Sequence, residues 1–185
     1  MATVNQQWRE AQQTLAEIET LLPQLQTICN QTIVALQNGN TLFSCGNGGS
    51  AADALHFAEE FTGRYRSNRQ PLPALALVAD PTALTCIAND FGYEKVFSRQ
   101  LEALGKKGDI LFAFSTSGNS PNIIQALEMA LKKEMKTILF TGQDGGKAKT
   151  LCNHSLLVPS GNTARIQEIH GFFIHTILEA VEATF

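Results

Sequence analysis

The chain has no basic excess: 14 Lys and Arg stand against 17 Asp and Glu in 185 residues, a formal net charge of −3. Nucleic acid is therefore not expected as a partner, and any phosphate recognition must be local. No run of about 18 apolar residues occurs, so no membrane-spanning helix is expected. The opening MATVNQQWREAQQ is polar and lacks the apolar core of a secretory signal. Cysteine is sparse, and Cys29, Cys45, Cys86 and Cys152 are scattered without a C-x-x-C. Buried free thiols in a reducing cytosol are expected, rather than disulfides or a zinc knot. No linker, repeat or low-complexity stretch divides the chain, and its length suits one domain with a substantial core. A cytoplasmic single domain over residues 1–185 is expected, with neither nucleic acid nor a membrane as its partner.

What is present is concentrated in LFSCGNGGSAADALHFAEE, residues 42–60. A short apolar run enters a turn of Gly46, Asn47, Gly48, Gly49 and Ser50, and a helical pattern follows at once. A glycine-rich strand-to-helix turn brings backbone N–H groups and the positive helix end against an anion, most often a phosphate. One turn further on, His56 and Glu60 are four residues apart and share a helix face. The helix carrying them is too apolar for a surface helix, and polar groups on a buried helix need partners. Anion holder and acid/base or metal pair thus fall in one element.

The rest of the chain gives the frame. From Thr3 to Asn38 the spacing of Trp8, Ala11, Leu15, Ile18, Leu22, Leu25, Cys29, Thr32 and Leu36 predicts a long helix with a coiled-coil-like seam. Pro23 should kink or split it. A seam this regular suits either the chain's own domain or a bundle between subunits, and residues 1–38 are read as an oligomerisation helix. Strands are expected at Thr41–Cys45, Ala74–Val78, Asp109–Phe114, Thr137–Thr141 and Ser155–Val158. Helices are expected near 50–63, 82–89, 93–104, 120–134 and from Thr163 to Thr184. Such alternation predicts an α/β three-layer sandwich on a five-stranded parallel sheet, flavodoxin-like, with the long helix added in front.

In such a sheet, ligands bind beyond the carboxyl ends of the strands near the switch point. The loop after the third strand, Ser115-Thr116-Ser117-Gly118-Asn119-Ser120, places four hydroxyls in six positions just before Pro121 opens a helix. Hydroxyls and free N–H groups there form a neutral phosphate cradle, with Ser120 also suited to the N-cap. Asn89 and Asp90 are either turn formers or ligand contacts. Gly142-Gln143-Asp144-Gly145-Gly146 is read as plain turn chemistry. On the last helix, Gln167, Gly171 and His175 share a stripe, the two polar groups about 12 Å apart. His175 alone is read as a core histidine. With His56 and Glu60, however, Gln167 and His175 would make an N/O site suited to zinc and related ions.

CGNGGSAADALHFAEEFTGRY, AND-FGY, STSGNS, TG-DGG and ARIQEIH, in this order and spacing, resemble the phosphoheptose isomerase family within the sugar-isomerase (SIS) superfamily. The resemblance covers about residues 40 to 180, and the leading helix agrees with it. It implies an aldose–ketose isomerase joining sedoheptulose 7-phosphate and D-glycero-D-manno-heptose 7-phosphate. That is the first step toward activated heptose for lipopolysaccharide or other surface glycans. By resemblance, Asn47, Gly48, Gly49, Ser50, Asn89 and Asp90 would contact substrate, with Glu60 and Gln167 also touching it. Ser115, Thr116, Ser117 and Ser120 would hold the phosphate. His56, Glu60, Gln167 and His175 would surround one zinc ion per subunit, with Glu60 and His175 as base and acid. A homotetramer with sites between subunits is implied as well.

One position departs from the pattern. Many isomerases of this family carry an acid before the Arg of RIQEIH, where this chain has Ala164. Alanine there is similar to a non-enzymatic branch that associates with the bacterial replication initiator, so an adaptor is the alternative reading, and a sugar-phosphate sensor without turnover a third. That branch, however, loses the glutamate of HFAEE and the final histidine, both of which this chain retains as Glu60 and His175.

Overall fold

The computed structural model describes residues 3–185. The leading helix is two helices, α1 (Val4–Glu17) and α2 (Leu22–Gln37), joined by a 3₁₀ turn at Ile18–Leu21. Pro23 sits in the first turn of α2, where its missing N–H costs nothing, and so it marks the break. The chain then alternates through β1 (Leu42–Gly46), α3 (Gly49–Thr62), β2 (Ala74–Ala76) and α4 (Pro81–Phe91). It continues with α5 (Ser98–Leu104), β3 (Ile110–Ser115), α6 (Pro121–Lys132), β4 (Lys136–Gly142), β5 (His154–Val158) and α7 (Thr163–Glu182). The helix expected at 93–104 is divided. Gly92, at φ 90°, ends α4, and a 3₁₀ turn at Tyr93–Lys95 precedes α5.

All strand pairs are parallel, in the order β2-β1-β3-β4-β5. The strand order reverses between β1 and β3, which makes their carboxyl ends the switch point. Strand side chains alternate between two apolar faces, as a sheet covered on both sides requires. Leu42, Ile110, Phe112 and Phe114 face a core shared with α2, α3 and α7, where Phe57, Phe140 and Phe173 stack around them. Phe43, Cys45, Leu111 and Ala113 face the other core, against Phe97, Leu101, Ile123 and Leu127 of the α5–α6 side.

Two expectations need correction. Cys29 and Cys45 are buried, but Cys86 is exposed and Cys152 half-buried, because they lie on outward turns of α4 and after the 3₁₀ turn at Lys147–Leu151. All four thiols are free. The N-terminal seam divides: Leu25, Cys29, Thr32 and Leu36 are buried in the chain's own core, whereas Trp8, Leu15 and Leu22 remain exposed. The final helix is covered by its own domain: Ile169, Phe173, Ile177, Leu178 and Val181 are all buried, and only Phe172 among its large apolar side chains is left wet. Among the described residues, no helix is long and apolar enough to cross a membrane.

Candidate active site

The loops leaving β1 and β3 meet at the switch point. Gly48, between β1 and α3, has φ 55° and ψ −122°, a conformation essentially reserved for glycine. It lets the chain turn from strand to helix in two residues. Neither α3 nor α6 is capped by a side chain, so two positive helix ends open toward one place. Ser120 occupies the N-cap of α6 but makes no capping bond; its carbonyl, not its hydroxyl, accepts from Ile123 and Ile124. The expected cap is thus absent, and the hydroxyl is left for a ligand.

Between these helix ends lies a pocket of about 250 Å³. Its walls are Asn47, Gly49 and Ser50 from one loop, Ser115, Thr116, Ser117 and Ser120 from the other, and Thr163 and Gln167 from the start of α7. No Lys or Arg lines it, so an anion there would be held by hydroxyls, amides and helix dipoles. The hydroxyl oxygens of Ser115 and Ser117 accept from the N–H groups of Gly118 and Asn119, at 3.2 Å each, which shapes the loop. The segment 142–146 braces it from behind. Lys147 N donates to Asn119 Oδ1 at 3.1 Å, and a Cβ at Gly118 would run into the Gly145 carbonyl. Those glycines serve packing.

Asn47 is fixed by two residues that the sequence pattern did not single out. Its carboxamide pairs reciprocally with that of buried Asn122, at 2.9 and 2.8 Å, and Tyr93 Oη donates to Asn47 Oδ1 at 3.1 Å. Asn122 could have been noticed as a polar residue on the face of α6 that otherwise carries Ile123, Ala126, Leu127 and Ala130. Asn89 and Asp90 do not reach the pocket. They lie exposed at the end of α4, where Asn89 Nδ2 donates to Asp90 Oδ1 at 2.7 Å. Ala164 is exposed in the first turn of α7 and lines no part of the pocket.

The second cluster lies further along α3. His56 Nε2 is 3.3 Å from Glu60 Oε1, and the His175 ring meets that of His56 edge-on at 5.1 Å between centroids. Tyr65, from the loop after α3, stacks on His175 at 5.8 Å between centroids. The carboxylate of Glu59 also lies within ligating range of His56 and Glu60. His56, Glu59 and Glu60 bring one imidazole and two carboxylates together, a donor set that suits zinc, and the His175 ring lies beside it. Gln167 is not among them: its carboxamide lies against Gly49, so close that a Cβ there would overlap it. The four expected ligands therefore divide, His56, Glu60 and His175 at one end and Gln167 at the pocket.

α3 and α7 run side by side with the same polarity, as the pairs Gly49–Gln167, Asp53–His170 and His56–His175 show. Seven residues of helix from Gly49 to His56 span about 10 Å. An anion pocket and a cluster of imidazoles and carboxylate are thus separated by the length of several sugar carbons.

Comparison with known proteins gives the same picture. A family model described as a SIS domain matches residues 7–142. A phosphoheptose isomerase of Aliarcobacter butzleri is 52% identical over 172 residues, 92% of this chain and 91% of that protein. The solved structure of a phosphoheptose isomerase from Neisseria gonorrhoeae superposes with a TM-score of 0.92 at 41% identity, covering 97% of each chain. That of a phosphoheptose isomerase from Francisella tularensis gives 0.93 at 35% identity, over 96% of this chain and 95% of that one.

Proposed function

The chain belongs to the phosphoheptose isomerase family of SIS-domain proteins, and from that premise we propose that it interconverts sedoheptulose 7-phosphate and D-glycero-D-manno-heptose 7-phosphate. One observation carries the reading: a neutral anion pocket at the start of α3 and the His56–Glu60 pair further along the same helix, with His175 of α7 beside them, stand at a spacing that fits a phosphorylated sugar. The adaptor reading gains no support from these relatives.

Ser115, Thr116, Ser117 and Ser120 hold the phosphate, with Gly48, Gly49 and Ser50 presenting the start of α3 to it. Asn47 and Gln167 meet the sugar hydroxyls next to it. Binding energy from this remote end orients the reacting carbons. Glu60 takes a proton from C1 of the ketose and His175 gives one to the carbonyl oxygen on C2, forming the enediol. Glu60 then returns its proton to C2 while the O1 proton returns to His175, leaving the aldose with every proton accounted for. A zinc ion held by His56, Glu60 and His175 would supply polarisation of the carbonyl when bound.

The enzyme acts in the cytoplasm as a homotetramer, with residues 1–38 as the oligomerisation segment. Support for assembly comes from the exposed Trp8, Leu15 and Leu22 of the N-terminal helices, an apolar row that a second copy would cover. The product belongs to heptose biosynthesis. The direct test is incubation of the purified protein with sedoheptulose 7-phosphate while the anomeric protons are followed by NMR. Appearance of the aldose signal is expected; an unchanged spectrum at stoichiometric enzyme would end the isomerase reading.

A further inference from the structure

Between α3 and β2 the chain runs through residues 63–73 without regular structure. Its Arg69 is the most buried cation there, with only 3% of the side chain exposed. Nη2 donates to the Glu60 carbonyl at 2.8 Å, and Nη1 donates to the carbonyls of Phe61 and Gln70 at 3.0 Å each. A guanidinium thus satisfies the open carbonyls at the negative end of α3. Its Nε has no hydrogen-bond partner, and the nearest anion is Glu182 Oε1 at 3.8 Å, in the last turn of α7. The Glu182 carboxylate in turn accepts from the Arg66 N–H, at 3.1 and 3.2 Å. Tyr65, the residue before Arg66 in the same loop, is stacked on His175 and carries the Arg66 guanidinium over its ring at 5.0 Å.

We infer that Arg69, together with Glu182, is a positioning residue for the proton-transfer pair: it ties the Glu60 turn of α3 to the end of α7 and holds Tyr65 against His175. The inference rests on the isomerase reading above, in which Glu60 and His175 carry the protons. A helix cap alone would require any donor on the last carbonyls. Here the donor bonds the peptide of Glu60 itself, and the loop it pins is the one that packs on His175. The clamp lies at the far end of α3 from the anion pocket, so it can disturb chemistry without disturbing the hold on phosphate.

The test uses Arg69→Met, Arg69→Lys and Glu182→Gln in the full chain, beside wild type. Thermal melts are recorded together with kcat and KM for sedoheptulose 7-phosphate and the NMR signal of the His175 Hε1 proton. Arg69→Met should lower kcat about 10- to 100-fold, the scale of an ångström misplacement of a reacting group. KM should stay within about threefold, because the phosphate end is untouched. Arg69→Lys should recover part of the loss, since an ammonium still reaches one carbonyl but cannot bridge two. The Hε1 line should move in both variants and in Glu182→Gln as the Tyr65 ring leaves. If Arg69→Met fails to fold, the two milder variants carry the same comparison. A lower melting temperature with unchanged kcat per folded subunit would reduce Arg69 to a structural cap and overturn the inference. An unmoved Hε1 line would overturn it whatever the activity, whereas an inactive wild type would overturn the isomerase reading and this inference with it.

Discussion

Replacing Asn122 by alanine tests whether the two loops of the pocket are held by one amide pair. Asn122 is 2% exposed and donates to and accepts from Asn47, at 2.8 and 2.9 Å. Each neutral hydrogen bond contributes about 1 kcal/mol net, and a polar group orphaned by truncation costs about 1–3 kcal/mol. Asn47 is only half-buried and keeps the Tyr93 hydroxyl, so water and Tyr93 recover part of its bonding. The net loss expected is about 2 kcal/mol, which for a chain of this size lowers Tm by about 4–8 °C. The Asn47 loop also loosens, and KM should rise about fivefold, equivalent to about 1 kcal/mol of binding. Calorimetry and initial rates with sedoheptulose 7-phosphate measure the two effects. Asn122→Asp should be worse in KM, because it keeps one acceptor but sets a buried carboxylate beside the substrate phosphate. An Asn122→Ala protein with wild-type Tm and KM would show that the pair is incidental and that other bonds set the pocket.

Four further outcomes are expected. Glu60→Gln should cut kcat by about 100- to 10,000-fold while leaving substrate binding intact, measured by turnover and by calorimetric titration. Ser120→Ala should weaken phosphosugar binding by about 1.5–3 kcal/mol through one charge-assisted hydrogen bond, yet leave Tm nearly unchanged, since that hydroxyl caps nothing. Burial pushes the Cys29 thiol up to about 11 from its usual 9.0, and the fully buried Cys45 thiol higher still. The folded chain therefore keeps protons that the unfolded chain has lost, so stability is full below pH 9.0 and declines as pH rises toward 11; Cys45→Ala should flatten that alkaline decline in urea titrations. Leu15→Asp with Leu22→Asp should give smaller particles in light scattering and lower activity together; a fully active monomer would exclude shared sites.

Strand and helix order was legible because it rests on local period. Each strand is a short apolar run bounded by turn residues, and the five fall within one or two residues of their expected places. The departures have local causes. Leu77 continues β2's approach to β1 through a bond from its N–H to the Ser44 carbonyl, but Ala79 turns back on Ala76, so the edge strand stops at Ala76. The helix expected at 93–104 opens with a 3₁₀ turn at Tyr93–Lys95, and α5 begins only at Ser98. The fate of the apolar stripes was not legible. α7 looks too apolar for one side to be wet, but α2, α3 and the sheet between them cover nearly all of it. Periodicity identifies a buried face without saying what buries it.

The phosphate end of the site was legible for a related reason. Gly48 and the hydroxyls of 115–120 act through backbone conformation and short side chains, so their neighbours in sequence are their neighbours in space. The other end depends on the register of α3 against α7, which no local pattern specifies. Phe57 and Phe173 pack in one core with Phe140 between the helices and the sheet, and this packing sets Gly49 against Gln167, Asp53 against His170 and His56 against His175. The steps are seven or eight residues on both helices, which is why a stripe at i, i+4, i+8 on α7 serves two places rather than one. Gln167 and His175 share a face, but the two turns between them equal the distance between pocket and cluster. The Gln167 carboxamide lies against Gly49 at the pocket, and Arg69 lies near Glu182 at the far end. A slip of α7 by one turn, about 5.4 Å, would carry His175 away from His56 while leaving every secondary-structure element intact. The chemistry proposed for Glu60 and His175 thus depends on interhelix packing more than on either motif.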